Sequence, residues 1–330
     1  MRKAGSIRWL LGRIAQSLLT LVMAVVVLFF LMRLTPGDPL AELSQERQVP
    51  PAAVEHLRRM YQLDQPLLTQ FSSFAGGLLR GDLGPSIHYQ NRPVTALLRE
   101  RLPASLLLGG TVLLLNFTFG LWLGVRQAVA KDRPTDRWLT TISLAGYAMP
   151  SFWLGLLLAW AFGTTWHLLP VAGMHEPTMD ESAGILTRSL DVLRHLILPA
   201  ITLSAVSVAS TMRHQRSAMI EIMRRDFVRT ARSKGLTERS VVWRHAWRNA
   251  LFPVLTLLGL WLPILAAGSV FVEYIFAWPG LGQLAEQAIS GRDYPLIMGT
   301  ALLVATMVVA GGLVTDLAYV ALDPRVRFRG

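Results

Sequence analysis

Six apolar runs, each within the length range of a membrane-crossing helix, constrain this chain more than any other feature. A transmembrane helix needs about 20 mostly apolar residues. Candidates lie at Ile14–Leu34, Pro103–Val125, Trp138–Phe162, Leu196–Met212, Leu251–Val272 and Pro295–Val320. Over 330 residues, 52% are hydrophobic and only 16% charged, which argues against a soluble protein. The fourth run is the weakest, because Pro199 sits near its start and Ser204, Ser207 and Ser210 dilute it. Glycine and proline inside the runs (Gly109, Gly110, Pro150, Pro263, Gly311, Gly312) would weaken a soluble helix. Lipid tolerates them, and small residues let helices approach closely. The expectation is an all-α, polytopic membrane protein with six transmembrane helices. The first run follows "MRKAGSIRWLLGR", which looks like the start of a signal peptide, but "RLTPGDP" after it offers no small-residue cleavage site, so a retained span is expected.

Basic residues orient the spans. With the N-terminus inside, 21 of the 32 Lys and Arg fall on the inner segments. Eight of the remaining eleven lie between Arg33 and Arg101, a segment long enough to cross regardless of its charge. Both ends are therefore expected in the cytoplasm, and most of the net charge of +11 is topology. The resulting divisions are a cytoplasmic N-terminus (1–13), a first span (14–34), a large extracytoplasmic segment (35–102), a core of five spans (103–321) and a cytoplasmic tail (322–330). The outer segment is too long for a connector and should fold over the outer mouth, with a short helix in "VPPAAVEHLRRMYQLDQP" and a turn at "RGDLGPS". A second outer loop spans 163–194. Cysteine is absent, so neither disulfides nor thiolate metal sites exist.

The largest inner loop, 213–250, is also the densest in positive charge. Met219, Ile222, Met223, Phe227 and Ala231 recur at helical spacing, with Arg224, Arg225, Arg229 and Arg232 on the other faces. Gly235 is placed to end that helix, and Thr237 to cap a second one running through Val241, Val242 and Trp247 to Pro253. Anionic headgroups would attract such a loop by roughly 1 kcal/mol per basic residue, but lipid attraction needs no glycine between two amphipathic helices. A protruding hairpin suits insertion into a groove on a partner protein. Nucleic acid is disfavoured, since no groove-reading module accompanies the charge.

Catalytic signatures are missing. Lys3, Lys131 and Lys234 are the only lysines, and none ends a phosphate-binding G-x-x-x-x-G-K-[ST] loop. No H-E-x-x-H or G-x-S-x-G pattern occurs, and His195 and His245 read as packing or interfacial residues. Asp316 is the one ionisable residue read inside a span, near its inner end, where an ion pair with an inner-edge arginine explains it best. Asn116 reads first as a helix–helix hydrogen bond and second as a solute contact. Trp278 and Pro279, in "FAWPGLG", are candidates for an outer gate.

"FVRTARSKGL…VVWRHAWRNALFP" closely resembles the coupling segment of ABC importer permeases of the peptide and nickel branch. The resemblance extends over the chain: "LTPGDP", "YQLDQPLLTQF…GDLGPSI", "AMPSFWLGLLLA", "LLPVAG", "HLILPAITLS", "EYIFAWPGLGQLAEQAISGRDYPLI" and "ALDPRVR" occur in family-like order. Its large outer segment is like that of the first permease of a pair. In the general importer pattern, Glu-Ala-Ala precedes a glycine by three residues, and Ile-x-Leu-Pro follows nine residues later. Ala231 and Gly235 fit, whereas Arg229 and Thr230 replace the first two positions and Trp247 and Arg248 stand where Leu-Pro would. The resemblance implies the type I importer permease fold in a prokaryotic inner membrane, a sister permease, two cytoplasmic ATPase subunits that bind ATP and Mg²⁺, and an extracytoplasmic binding protein. It implies no cofactor and no catalysis in this chain. Arg229, Ala231, Arg232, Lys234, Gly235 and Leu236 become the ATPase-coupling residues, with Ala231 and Gly235 allowing close approach. Peptides are the expected solute, with nickel chelates, glutathione, opines and oligosaccharides as alternatives. A self-sufficient ion-coupled carrier and an intramembrane enzyme are the rival classes.

The inside placement of the basic loop is directly testable in a chain without native cysteine. A single cysteine at Ser233 or Thr237 should resist a membrane-impermeant maleimide applied outside sealed cells and react after permeabilisation.

Overall fold

The computed structural model describes residues 2–34, 51–180, 182, 184–254, 261 and 270–322. Among them all regular structure is helical, apart from one isolated bridge between Pro85 and Pro93. Helix α1 (Arg2–Leu34) packs against the last helix, α12 (Tyr294–Leu322), close to the expected first and sixth spans. Near one end of this pair Arg13 Nε lies 3.3 Å from Asp316 Oδ2, and at the other Phe29 is buried under an outer-segment helix.

That outer segment contains α2 (Pro51–Met60), where a short helix was expected, and α3 (Leu67–Leu79) after Pro66. At the turn after α3, the Gly84 amide donates to Asp82 Oδ1 at 2.9 Å.

Three of the remaining expected spans differ from what apolar runs suggest. The second was expected to begin at Pro103, but α4 (Val94–Val129) starts nine residues earlier and carries Pro103 within it. Nine residues add about 13 Å of helix. The extension is held by packing, because Val94, Leu97 and Leu98 are buried against Leu281, Leu284 and Leu296. The third, read as one span, is two helices, α5 (Pro134–Ala148) and α6 (Ser151–Thr165), bent by 102°. The break falls at Met149–Pro150: the residue before a proline is pushed out of helical geometry, and Met149 is extended at φ −75°, ψ 128°. The fourth, judged the weakest, is part of the longest described helix, α7 (Ile185–Met223). It is less apolar because much of it faces protein rather than lipid, packed against α4, α5 and α6. Several of its hydroxyls are satisfied within the helix, as Thr202 Oγ1 donates to Leu198 O at 2.8 Å. Most of the expected fifth span, Leu251–Val272, lies outside the described residues.

Close packing joins α4 to α7. A side chain at Gly124 would put its Cβ 2.6 Å from the Met212 carbonyl oxygen, so only glycine permits this approach. Beside it, Arg216 on α7 forms a bidentate pair with Asp136 on α5, at 2.9 Å and 2.7 Å. Asp136 is buried and also accepts from the Asp132 amide. The pair therefore fixes the start of α5 to the far end of α7.

Removing one partner should be worse than removing both. Asp136→Ala is expected to cost about 2 kcal/mol, below the 3–5 kcal/mol of a fully buried pair, because Arg216 keeps partial access to water. Asp136→Leu combined with Arg216→Met should recover most of that loss in thermal unfolding.

Candidate functional site

The basic loop folds into a hairpin at the end of α7, although its first arm is not one continuous helix. The expected helix from Met219 to Gly235 is interrupted: α7 stops at Met223, and α8 (Asp226–Ser233) starts after Arg225 takes an extended backbone, φ −72°, ψ 148°. The break reassigns the inward face. Val228 and Ala231 are buried with Val241 under Ile222, while Phe227 is exposed. Gly235 ends the arm as expected, at φ +75°. A Cβ there would meet nothing within 4 Å, so the demand for glycine comes from backbone conformation alone. Thr237 occupies the N-cap position without a side-chain capping bond. The second arm, α9 (238–250), comprises Glu238–Ser240, a wide π-type turn Val241–Ala246 and Trp247–Ala250.

The arms are tied across the turn. Arg232 donates to both Glu238 oxygens, at 3.1 Å and 2.7 Å, and this fork holds the Glu238 carboxyl below its ordinary pKa. A depressed carboxylate contributes above its ordinary pKa and loses that contribution as pH falls through the lowered value, so the tie is intact at neutral pH. Arg229 pairs loosely with Asp226 at 3.4 Å. Lys234 and Leu236 are exposed at the tip. Ala231 is the exception among the expected docking residues, since it faces Val241 inside the hairpin. The base of the hairpin is continuous with the bundle, as Val242, Ala246 and Ala250 pack with Met219 of α7 and Val125 and Ala128 of α4.

At the opposite end the "EYIFAWPGLG" stretch builds a cap around a carboxylate that the apolar runs did not single out. Glu273, in α10 (Val270–Ile275), is fully buried. It accepts from Ser105 Oγ at 3.1 Å and from the Gln283 amide at 3.0 Å, the latter in the first turn of α11 (Leu281–Ser290). A helix N-terminus presents unpaired amides and positive dipole, so α11 compensates the buried acid. Trp278 is also fully buried, and its indole donates to Ala104 O at 2.9 Å. Pro279 is half-buried beside it. Asp293 closes the cap by accepting from Ser86 Oγ, the His88 amide (2.9 Å) and the Leu296 amide (3.1 Å). In this way "GDLGPSI" meets "SGRDYPLI" across the cap.

The expected pathway residues are not gathered in one place. Trp278 and Pro279 belong to the cap, and Asp316 pairs with Arg13 towards the other end. Asn116 lies between α4 and α7, where another π-type turn, Asn116–Gly120, widens α4. It is fully buried, and neither amide atom has a hydrogen-bond partner among the described residues; the same holds for Gln215 on α7. Among the described residues no group of three or more His, Cys, Asp or Glu could hold a metal ion.

Comparison with known proteins places this architecture. Residues 97–328 match the family described as "Binding-protein-dependent transport system inner membrane component", and residues 6–109 match the N-terminal membrane component of such systems. The chain is 41% identical over 311 residues to the di/tripeptide transport system permease protein DppB of Pseudomonas aeruginosa, covering 91% of this chain and 92% of that one. It is 35% identical over 320 residues to the oligopeptide transport system permease protein AppB of Bacillus subtilis, covering 97% and 99%. The dipeptide transport system permease protein DppB of Escherichia coli is 34% identical over 338 residues, covering 98% and 99%. A chain of the inward-facing MetNI methionine ABC transporter shares the fold, with a TM-score of 0.55 at 16% identity over 69% of this chain and 96% of that one.

The cap geometry sets a steric test. A Cβ on Gly280 would lie 2.4 Å from Glu273 Oε2, so Gly280→Ala should cost about 1–3 kcal/mol. Gly312→Ala, inside α12 where a Cβ meets nothing within 4 Å among the described residues, should not lower the unfolding midpoint in detergent.

Proposed function

This chain belongs to the family of binding-protein-dependent transport system inner membrane components, and on that premise we propose that it is the permease subunit of an ATP-binding-cassette importer for di- and oligopeptides. It has the type I importer permease fold with six spans and both termini cytoplasmic. It pairs with a sister permease to form the translocation path. Two cytoplasmic ATPase subunits bind and hydrolyse ATP, and an extracytoplasmic binding protein delivers the solute. The peptide assignment is supported by relatives named for di-, tri- and oligopeptide transport that match over more than nine-tenths of both chains. Nickel chelates, glutathione or other small solutes are the alternative cargo for the same role.

One observation carries the mechanism. The hairpin's interior is complete, with its own small core and the Arg232–Glu238 tie, while Phe227, Arg229, Lys234, Leu236 and Trp243 face outwards. Such a rim is suited to an ATPase surface groove. For docking to do work, the rim must bind more tightly in one ATPase state than in the other, because equal affinity shifts nothing. Displacement of the hairpin reaches α4 and α7 through the packing at its base, and α5 through Asp136–Arg216. An ion-coupled carrier has little to work with among the described residues: Asp316 is paired, and Glu273 is committed to α11.

In proteoliposomes the assembled complex should take up dipeptide only with ATP and binding protein, and this chain alone should move none on a proton or sodium gradient. Gradient-driven uptake by the chain alone removes the reading. Gly235→Asn should keep ATP-driven uptake within about threefold, because asparagine visits the left-handed region readily. Gly235→Val or Gly235→Pro should cut uptake by about tenfold or more, given the 1–2 kcal/mol that left-handed backbone costs other residues, while ATP hydrolysis continues.

A further inference from the structure

Where α1 reaches the cap it borders a cavity of about 210 Å³, roughly fifteen times what one water molecule needs in the same measure. Its walls include Phe29 and Arg33 of α1, Gln70 and Phe74 of α3, and Tyr294 and Met298 of α12. Two polar side chains there keep hydrogen-bonding capacity that the described residues do not fill. Arg33 has no carboxylate partner among the described residues, and its guanidinium carbon lies 5.8 Å from the Phe29 ring centroid. Gln70 is 6% exposed: its Nε2 donates to Gln65 O at 2.8 Å, but its Oε1 meets no donor among the described residues. Asp82, the acid on the same wall, is exposed and engaged by the Gly84 amide.

A second observation points to what fills this space. Helix α3 is apolar but too short to cross a bilayer. Phe71 and Phe74 pack on Phe29 at 5.3 Å and 5.7 Å between centroids, while Leu68 and Leu79 are 74% and 90% exposed. A helix that turns bare leucines outward at the level where a span leaves the hydrocarbon lies in the membrane interface. The cavity therefore opens where headgroups sit, beside an α1 surface on which Leu18, Val22 and Leu31 face outward.

We infer that this cavity is a phospholipid site in the outer leaflet. The phosphodiester sits on the Arg33 guanidinium, a planar donor suited to phosphate oxygens. The ammonium or hydroxyl of the headgroup donates to Gln70 Oε1, and the acyl chains run along α1 and the exposed leucines of α3. The lipid thus staples the outer segment to the first span. The leaflet assignment rests on the topology proposed above, whereas the site itself does not.

Native mass spectrometry of the full transporter, released from nanodiscs of phosphatidylglycerol and phosphatidylethanolamine, reads the site. Wild type should retain one phospholipid through delipidation. Arg33→Gln should lower that occupancy at least fivefold, Arg33→Lys less than twofold, and Gln70→Leu about threefold. Glycerol phosphate or dialanine at millimolar concentration should leave it unchanged. Equal retention by Arg33→Gln and wild type, or displacement by either soluble compound, overturns the lipid site. A single cysteine at Thr69 reads the leaflet separately. Labelling from outside sealed cells supports the outer leaflet; protection there, with lipid still lost in Arg33→Gln, overturns the leaflet and the proposed topology while the site stands.

Discussion

In hydrocarbon no water is available to satisfy a backbone amide, so each must find its carbonyl within the chain. That constraint makes the spanning part of this molecule helical and moves its specific polar chemistry to the two ends of the bundle. At one end the ion pair Asp136–Arg216 and the glycine hairpin do the ordering; at the other, Glu273 and Asp293 do. Both acids at the cap are spent on helix starts, α11 and α12, and both draw in residues far away in sequence. Ser105 and Ser86 thereby bind the outer segment and α4 to the last third of the chain.

The mechanics follow from which joints are stiff. Around α7 the joints are short: Met212 against Gly124, Arg216 on Asp136, Met219 under Val242. The 102° bend between α5 and α6 is set by Pro150, and its two arms meet α7 at different levels. A push at the hairpin therefore reaches several helices together rather than one. Between α4 and α7, the amides of Asn116 and Gln215 are buried without a hydrogen-bond partner among the described residues. They lie beside a π-type turn, a feature that is frequent at functional positions in helices.

The sequence was informative where lipid alone selects residues. The first and last apolar helices are little buried within the chain, so their apolar runs mark them to within a few residues. It was less informative where protein replaces lipid. Helix α7 is diluted by Ser204, Ser207 and Ser210 because much of its surface meets other helices, and a polar count mistakes that environment for a weak span. The early start of α4 depends on Leu281, Leu284 and Leu296, nearly two hundred residues away, and no local pattern announces it. Glu273 stands one residue beyond an apolar run, where an acid reads as loop. The nearby signal was the pair Gly280 and Gly282, since two glycines framing a leucine leave room for a carboxylate at a helix start. In the hairpin, Gly235 was legible from its own chemistry, while the break at Arg225 was not, because Val228 takes the inward position that Phe227 would have filled.

The shape of the hairpin tip is written into its own backbone. At Gly235 an added Cβ would meet nothing within 4 Å among the described residues, and the arms are locked to each other by Val228, Ala231 and Val241 and by one guanidinium fork. In the docking proposed above, a tip built this way would reach its groove already folded, so little chain entropy would be lost on seating. Its fit can then be tuned by exchanging rim side chains one at a time, without reshaping the key that carries them.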